Sequence, residues 1–288
     1  MTTASIASPA APRTVPDTRI SDEIRVVGMV WERELIRYVR TRTRIVSGLI
    51  QPILFLFVLG YGMSGLVGTT GGFNFRQFVY PGVVAMSVVM TAMFSALSIV
   101  WDREFGFLRE MLVAPVSRSA IVIGKCLGGA TIATFQGILM LVLAGLADVP
   151  YNPVLLITLV GELLLLAFTL TAFGVMMAAR ITQFQAFMAL TQMLVMPLFF
   201  LSGALYPLNG LPAWLTVLTR IDPLTYVVGP MRHAVFSHLN MSAAFDARLA
   251  PTITWAGWPV PLWLSLGIVA VMGLGMMAVA IAEFRKTE

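Results

Sequence analysis

Apolar residues along this chain fall into six long runs separated by short polar segments. Each run has about 20 residues or more, enough for a helix to cross a bilayer core roughly 30 Å thick. Backbone groups surrounded by lipid find hydrogen-bond partners only inside such a helix. The pattern therefore predicts an all-α integral membrane protein with six transmembrane helices. The predicted spans are 45–64, 78–100, 120–147, 154–179, 184–206 and 260–282.

Composition and charge agree with this prediction. The chain is 58% hydrophobic and 11% charged, whereas a soluble domain carries about 25% charged residues. Fifteen of the 19 Lys and Arg residues lie in the N-terminal arm, after the even-numbered spans, or in the C-terminal tail. Both termini are therefore predicted to be cytoplasmic. The net charge of +5 fits anionic membrane lipid better than nucleic acid, because the basic residues lie beside the spans.

The segment 22–43, before the first span, has a helical period. Its apolar arc comprises Ile24, Val27, Trp31, Leu35, Tyr38 and Val39. The pattern predicts an interfacial amphipathic helix, with Trp31 and Tyr38 among the lipid headgroups and Arg33 and Arg37 facing anionic lipid. The alternative is a short cytoplasmic helix packed on its neighbours.

Three further segments are predicted not to span the membrane. Residues 1–21 are rich in Ala, Pro, Thr and Ser without an apolar core, which predicts a disordered cytoplasmic tail. Residues 284–288 form a short cytoplasmic tail. Segment 207–259 contains two apolar stretches of about 8–14 residues bounded by Pro and Gly, too short to span. They are predicted to be short re-entrant helices at the outer face.

Motifs for nucleotide or metal chemistry are weak. GYGMSG at 60–65 has the spacing of a dinucleotide-binding loop but follows an apolar span instead of a strand. Gly124 and Lys125 lack the rest of a phosphate-binding loop, and His233 and His238 have no acidic partner at metal-ligand spacing. We therefore expect no ATP site, cofactor or metal site in this chain. A lipid-modifying membrane enzyme and an ion-driven secondary transporter are two function classes that stay open.

Glu162 lies about eight residues into the fourth run, roughly 12 Å deep at 1.5 Å per residue. An acidic side chain inside a span is costly and usually faces protein or water. Two interpretations stay open: a residue that reaches the outer interface or pairs locally, and a residue that lines a translocation path.

The segment 101–125 carries seven charges between two apolar runs. Trp101, Phe105, Leu108 and Leu112 repeat at helical spacing, and most of the charges fall on other faces. A solvated loop would not need an apolar stripe. This pattern is typical of a short helix that docks in the groove of a partner protein.

The same segment resembles the signature of type-2 ABC exporter permeases, the membrane subunits of bacterial drug, nodulation-factor and polysaccharide exporters. The matching residues are Glu104, Gly106, Leu108, Met111, Pro115, Val116, Ser117, Arg118, Gly124 and Lys125. FFLSGALYPLNGLPAWL at 199–215 and DPLTYVVGPMRHAVF at 222–236 resemble the family's segment after the fifth span. The resemblance covers about residues 22–285, with 44–283 as the six-span transmembrane domain.

The resemblance implies a permease in the bacterial inner membrane, paired with a second permease that is either identical or related. Two copies of a separate ATPase subunit would bind ATP and Mg²⁺ and dock on the helix at 101–118. The cargo would be amphipathic or lipid-like and pass between the first, second and fifth spans of the two halves. The residues expected to couple the permease to the ATPase are Trp101, Glu104, Phe105, Gly106, Leu108, Glu110, Pro115 and Arg118.

Overall fold

The computed structural model describes residues 20–67, 74–106, 117–208, 210–239, 253–255 and 258–286, and only the backbone of 64–67. Nearly all of this part of the chain is helical, and six of its helices are long and apolar enough to cross a membrane. The prediction of an all-α membrane protein with six spans is confirmed.

The described elements comprise six candidate membrane spans and several further elements. The six candidate spans are α2 (Arg42–Val67), α3 (Phe75–Glu104), α4 (Arg118–Val142), α5 (Pro153–Arg180), α6 (Phe184–Leu201) and α9 (Leu262–Lys286). The further elements are α1 (Ile20–Arg40), a 3₁₀ turn (Ala144–Ala147), α7 (Ala213–Ile221), α8 (Thr225–Ser237) and the antiparallel strands β1 (Thr254–Trp255) and β2 (Trp258–Pro259). Helices α7 and α8 occupy the region where two short helices are predicted.

Several helix ends differ from those that hydrophobicity predicts. Helix α2 continues through the 60–65 motif to Val67, so these glycines are helical. Helix α4 ends at Val142, because the chain then enters a 3₁₀ turn closed by Asp148 in the left-handed conformation, at φ 56°. Helix α6 ends at Leu201, just before Gly203 at φ 71°.

The outermost predicted segments also differ. Helix α1 begins at Ile20, two residues before its predicted start, and α9 continues to Lys286, three residues into the predicted tail. Residues 1–19 of the predicted N-terminal tail lie outside the described residues.

Helix α3 lies at the centre of the bundle. Most of its side chains are buried against α2, α4, α5, α6 and α8. Ser87, Thr91 and Ser95 each donate a hydrogen bond to a carbonyl three or four residues earlier in α3, so these buried hydroxyls are satisfied within the helix. Helices α2, α6 and α9 are mostly exposed, and they present apolar surfaces to whatever surrounds the bundle.

The two ends of the bundle are held by different polar contacts. At the basic end, α3, α5 and α9 finish and α4 begins, and Arg103, Lys125, Arg180 and Lys286 lie there. At the opposite, far end, Arg76 at the start of α3 forms an ion pair of 2.7 Å with Asp148. The Arg76 guanidinium also donates to the Tyr61 hydroxyl and lies 4.5 Å above its ring. This cluster joins α2 and α3 to the turn after α4.

Arg232 in α8 fixes the turn that follows α6. The residue is 3% exposed, and its guanidinium donates to the carbonyls of Gly203 at 2.7 Å and Ala204 at 3.2 Å. It also lies 3.9 Å from the centre of the Phe78 ring. Burial lowers the pKa of Arg232 to about 9.

Asp222 lies just before α8 and gives a pH-dependent prediction. Its carboxylate accepts from the Leu224 amide and the Thr225 hydroxyl, yet burial raises its pKa from 3.8 to about 7. A raised folded-state pKa favours folding below pH 4, and this contribution is lost as the pH rises through about 7. We expect the melting temperature to fall by several degrees between pH 5 and pH 8.

Asp222→Asn keeps an oxygen that can accept from Leu224 but removes the titration. It should flatten this pH dependence, measured by thermal unfolding in detergent, whereas Asp22→Asn on the exposed first turn of α1 should leave it intact. If the melting temperature of Asp222→Asn still falls by the same amount between pH 5 and pH 8, the Asp222 carboxyl group does not cause the pH dependence.

Candidate functional site

A buried charge cluster connects three helices at the basic end. The Lys125 ammonium on α4 donates to Glu34 Oε1 on α1 and to Asp102 Oδ2 on α3, both at 2.6 Å. It also donates to the Ser98 hydroxyl at 3.0 Å. The three charged residues are each 5% exposed or less. An ammonium shared between two carboxylates satisfies groups that would be costly to bury alone.

Two arginines of α1 complete the cluster on its exposed side. Asp102 Oδ1 lies 3.2 Å from Arg33 Nη2 and 3.8 Å from Arg37 Nη1. The Arg37 guanidinium also lies 5.3 Å from the Trp101 ring centre. Both arginine side chains are more than a third exposed, so their pairs with Asp102 are weaker than those of Lys125. Asp102 is thus the point where α1, α3 and α4 meet.

Two glycines let α1 approach α4 closely enough to build this cluster. A Cβ atom at Gly124 would lie 2.8 Å from Val30 Cβ, and one at Gly128 would lie 2.9 Å from Glu34 Cβ. The spacing of these glycines in the sequence is typical of close helix packing, and the helix that they accommodate is α1.

Helices α1 and α4 contact each other at successive positions along their lengths. Trp31 donates from its indole nitrogen to the Thr131 hydroxyl at 3.1 Å, and the Tyr38 hydroxyl donates to Gln136 Oε1 at 2.7 Å. Helix α1 therefore runs lengthwise along α4. On the face that contacts α4, α1 is therefore a helix packed on its neighbour, as the second interpretation of its pattern predicts.

The predicted apolar arc of α1 is divided by this packing. Ile24 and Val39 are 66% and 63% exposed, whereas Tyr38 is 3% exposed. The prediction that Tyr38 lies among lipid headgroups is wrong, because its hydroxyl is bonded inside the bundle. Arg33 and Arg37, predicted to face lipid, contact Asp102. Trp31 remains at the surface, 37% exposed.

The C-terminal turn of α3 is tied to the start of α6. Trp101 stacks on Phe184 with ring centres 5.7 Å apart, and Glu104 Oε2 accepts from the Phe184 amide at 3.3 Å. This carboxylate satisfies one of the free amides at the N-terminus of α6. Glu104 thus has a partner within the chain.

The first residues of the helix predicted at 101–118 belong to α3 and do not start a helix of their own. Trp101–Glu104 form the last turn of α3, and the backbone leaves the helix at Phe105 and at Gly106, whose φ is 80°. Only glycine adopts such a φ without strain. Phe105 is 71% exposed. Leu108, Glu110 and Pro115 lie outside the described residues.

Two arginines that flank this segment bind the carbonyl ends of other helices. Arg103 donates to the carbonyls of Ala178, Ala179 and Ile181 at the end of α5, at 3.1–3.3 Å. Arg118 donates to the carbonyls of Phe284 and Arg285 at the end of α9. Cations are favoured at helix C-termini, where carbonyls lack partners within the helix. The segment between α3 and α4 therefore starts and ends on helices that are fixed to the rest of the bundle.

Glu162 is buried in α5, only 6% exposed. Its Oε2 atom has no hydrogen-bond partner among the described residues. Its role in a translocation path stays a prediction. The interpretation that Glu162 reaches the outer interface or pairs locally also stays a prediction.

Sequence reasoning missed the cluster formed by Glu34, Asp102 and Lys125. A signal was present for two of them, because Asp102 follows the second apolar run and Lys125 lies just inside the third. The end of one span and the start of the next lie on the same side of the membrane, so opposite charges at these positions can form an ion pair. Glu34 carries no such signal, since it is 91 residues from Lys125.

Comparison with known proteins gives one consistent result. The family model described as ABC-2 type transporter matches residues 25–236. The transport permease ycf38 of Cyanophora paradoxa is 31% identical over 218 residues, covering 72% of each chain. The inner membrane transport permease YadH of Escherichia coli K12 is 27% identical, over 71% of this chain and 80% of its own. Nodulation protein J of Rhizobium leguminosarum bv. trifolii is 29% identical, over 73% and 80%.

Proposed function

Since this chain belongs to the ABC-2 type transporter family, we propose that it exports an amphipathic, drug-like or lipid-linked substrate with energy from a separate ATPase subunit. A role as a multi-pass transport permease follows from the family and the six apolar helices. The observation that carries the finer proposal is the buried cluster around Lys125. It joins α1, α3 and α4 beside the segment between Gly106 and Ser117.

The proposed mechanism requires that a force on this segment reaches the spans without being lost in local bending. The segment begins at the end of α3 and finishes at Ser117, whose hydroxyl accepts from the Ala120 amide to start α4. Lys125 ties these two helices to each other and to α1. Arg103 and Arg118 extend the connection to α5 and α9. A displacement by the ATPase would therefore move five helices together.

The proposed assembly has two permease chains and two ATPase subunits, with ATP and Mg²⁺ bound on the ATPase subunits. The exposed apolar faces of α2, α6 and α9 support a second permease chain or lipid as their neighbour. The basic end would face the cytoplasm of a bacterial inner membrane, with both termini on that side, in agreement with its excess of Lys and Arg.

Phe105→Ala tests the docking role of this segment. Phe105 is an exposed aromatic side chain at the end of α3, and such residues dominate the binding energy of interfaces. We expect at least a tenfold loss in the amount of ATPase subunit that co-purifies with the chain, and a matching loss of substrate-stimulated ATP hydrolysis.

The matched control is Trp263→Ala. Trp263 is 73% exposed at the start of α9, at the far end, so ATPase binding should be unchanged. If Phe105→Ala retains both co-purification and stimulated hydrolysis, the segment does not dock the ATPase.

A further inference from the structure

Two adjoining cavities lie where α1, α2 and α3 meet. The inner cavity has a volume of about 230 Å³ and the outer cavity, nearer the basic end, about 280 Å³. Polar residues of the inner cavity are Tyr38, Arg44, Ser47, Gln51 and Thr91, and those of the outer cavity are Arg37, Arg44, Ser47, Ser98 and Trp101. Among the described residues, guanidinium groups line these cavities and no carboxylate does. The charge on the described walls is therefore positive.

Arg44, which lines both cavities, has a donor without an acceptor. Its Nη2 atom is buried and has no hydrogen-bond partner among the described residues. The guanidinium lies 6.0 Å from the Tyr38 ring centre, a contact that does not satisfy this N–H group. The residue as a whole is half-buried, so a small solute can reach it. A buried donor of this kind requires an acceptor from outside the described chain.

The charges in this part of the bundle do not balance. Four cations lie close to two carboxylates: Arg33, Arg37, Arg44 and Lys125 with Glu34 and Asp102. Both carboxylates bind Lys125, and Asp102 also pairs with the two arginines of α1. Arg44 is the member of this group that forms no ion pair with a described carboxylate. A cation removed from water without a counter-ion is unfavourable, so an anion from solution would stabilise Arg44.

The inner cavity limits the charge of such an anion. Its three hydroxyl protons are already donated within the chain, namely those of Tyr38, Ser47 and Thr91. The Arg44 guanidinium and the Gln51 carboxamide remain as donors, and the rest of the wall is mostly apolar. Sulfate or phosphate would lose more hydration here than two donors replace, whereas a monovalent halide loses much less. The cavity therefore suits a small anion with a single charge.

We propose that the inner cavity binds a monovalent inorganic anion, such as chloride, on the Arg44 guanidinium. The anion balances the charge of Arg44 and connects α2, the least buried of the six candidate spans, to α1 and α3, since Tyr38 and Thr91 line the same cavity. The outer cavity is its path from the basic end. The anion is a resident counter-ion, so its binding depends neither on the cargo nor on the ATPase subunit of the proposed function.

Thermal unfolding of the full chain in a neutral detergent tests the proposal. Cys126 is the only thiol of the chain and is buried, so a thiol-reactive fluorogenic dye reports unfolding. Chloride that replaces gluconate at constant ionic strength should raise the melting temperature in a saturable manner, because a ligand that binds only the folded state stabilises it. Bromide should act like chloride, and sulfate should stabilise less. This order is the reverse of the general salt effect, in which sulfate strengthens folding most.

Arg44→Gln should weaken the chloride affinity at least tenfold. Arg42→Gln is the matched control, because it makes the same charge change on an exposed residue two positions earlier that lines neither cavity. Ser47→Phe places a bulky side chain at a residue that is exposed and lines both cavities. It should also weaken chloride binding while Arg44 stays in place, and it decides the question if Arg44→Gln does not fold.

Three results would overturn the proposal. The first is a melting temperature of the unaltered chain that does not change when chloride replaces gluconate. The second is an equal chloride affinity in Arg42→Gln and Arg44→Gln, or in the unaltered chain and Ser47→Phe. The third is stabilisation that is strongest in sulfate, which would mean that salts act only through their general effect. Because no ATPase subunit is present, these results are separate from the loss of ATPase docking in Phe105→Ala.

Discussion

Lys125→Met is expected to lower the free energy of unfolding by about 3–5 kcal/mol, because it leaves buried carboxylates without their cation. Asp102 retains Arg33 and Arg37, but Glu34 has no other hydrogen-bond partner among the described residues. Methionine has a similar volume, so the effect comes from charge and not from a cavity. A denaturant titration in detergent followed by tryptophan fluorescence measures the change.

The Lys125→Met/Glu34→Gln double variant separates this explanation from general damage. Removing the uncompensated carboxylate should restore part of the lost stability, which a double-mutant cycle quantifies. Lys286→Met is the control on an exposed lysine, 74% exposed and paired with Glu283 at 3.6 Å, and should change the stability by less than about 1 kcal/mol. A loss below that value in Lys125→Met would mean that the cluster does not hold the three helices together.

Gly82→Ala is expected to destabilise the fold by about 1–3 kcal/mol, because the added methyl group has no space. A Cβ atom at Gly82 would lie 2.5 Å from Ala204 Cβ, 2.7 Å from Ala204 Cα and 2.8 Å from the Ala204 carbonyl oxygen. The backbone of Ala204 cannot move aside easily, since Arg232 binds the carbonyls of Gly203 and Ala204. The same denaturant titration measures the effect.

Gly161→Ala is the matched control for Gly82→Ala. Gly161 is also inside a long helix, but a Cβ atom added there would meet no atom of the described neighbouring residues within 4 Å. The free energy of unfolding of Gly161→Ala should be unchanged or slightly higher, because alanine favours the helix more than glycine does. Equal stabilities of the two variants would show that the backbone of the turn after α6 moves to accommodate the added methyl group.

The spans could be predicted from the sequence because bilayer thickness imposes a minimum length on every apolar helix. Their ends could not be predicted as well, since each end depends on local backbone chemistry. The third run stays apolar to residue 147, yet α4 stops at Val142 where a 3₁₀ turn begins. Asp148 closes that turn and pairs with Arg76, a contact that hydrophobicity does not encode.

The candidate site was harder to predict than the spans. The charged segment after α3 was recognisable by its composition, but Glu104 and Arg103 contact other helices of the same chain. Periodicity assigns a residue to a face of its own helix and says nothing about which helix packs there. For this reason the amphipathic pattern of α1 predicted a lipid-facing Tyr38, which instead bonds to Gln136, 98 residues later.

The packing of α1 along α4 also has a consequence for biosynthesis. Glu34 leaves the ribosome 91 residues before Lys125, its partner, and at about 5–20 residues per second this interval lasts roughly 5–20 s. During that time α1 has no α4 to pack against. Its amphipathic character, with Ile24 and Val39 on the outside, allows it to rest on the membrane surface meanwhile. We therefore expect α1 to occupy two successive environments, the membrane surface first and the face of α4 once that helix has been made.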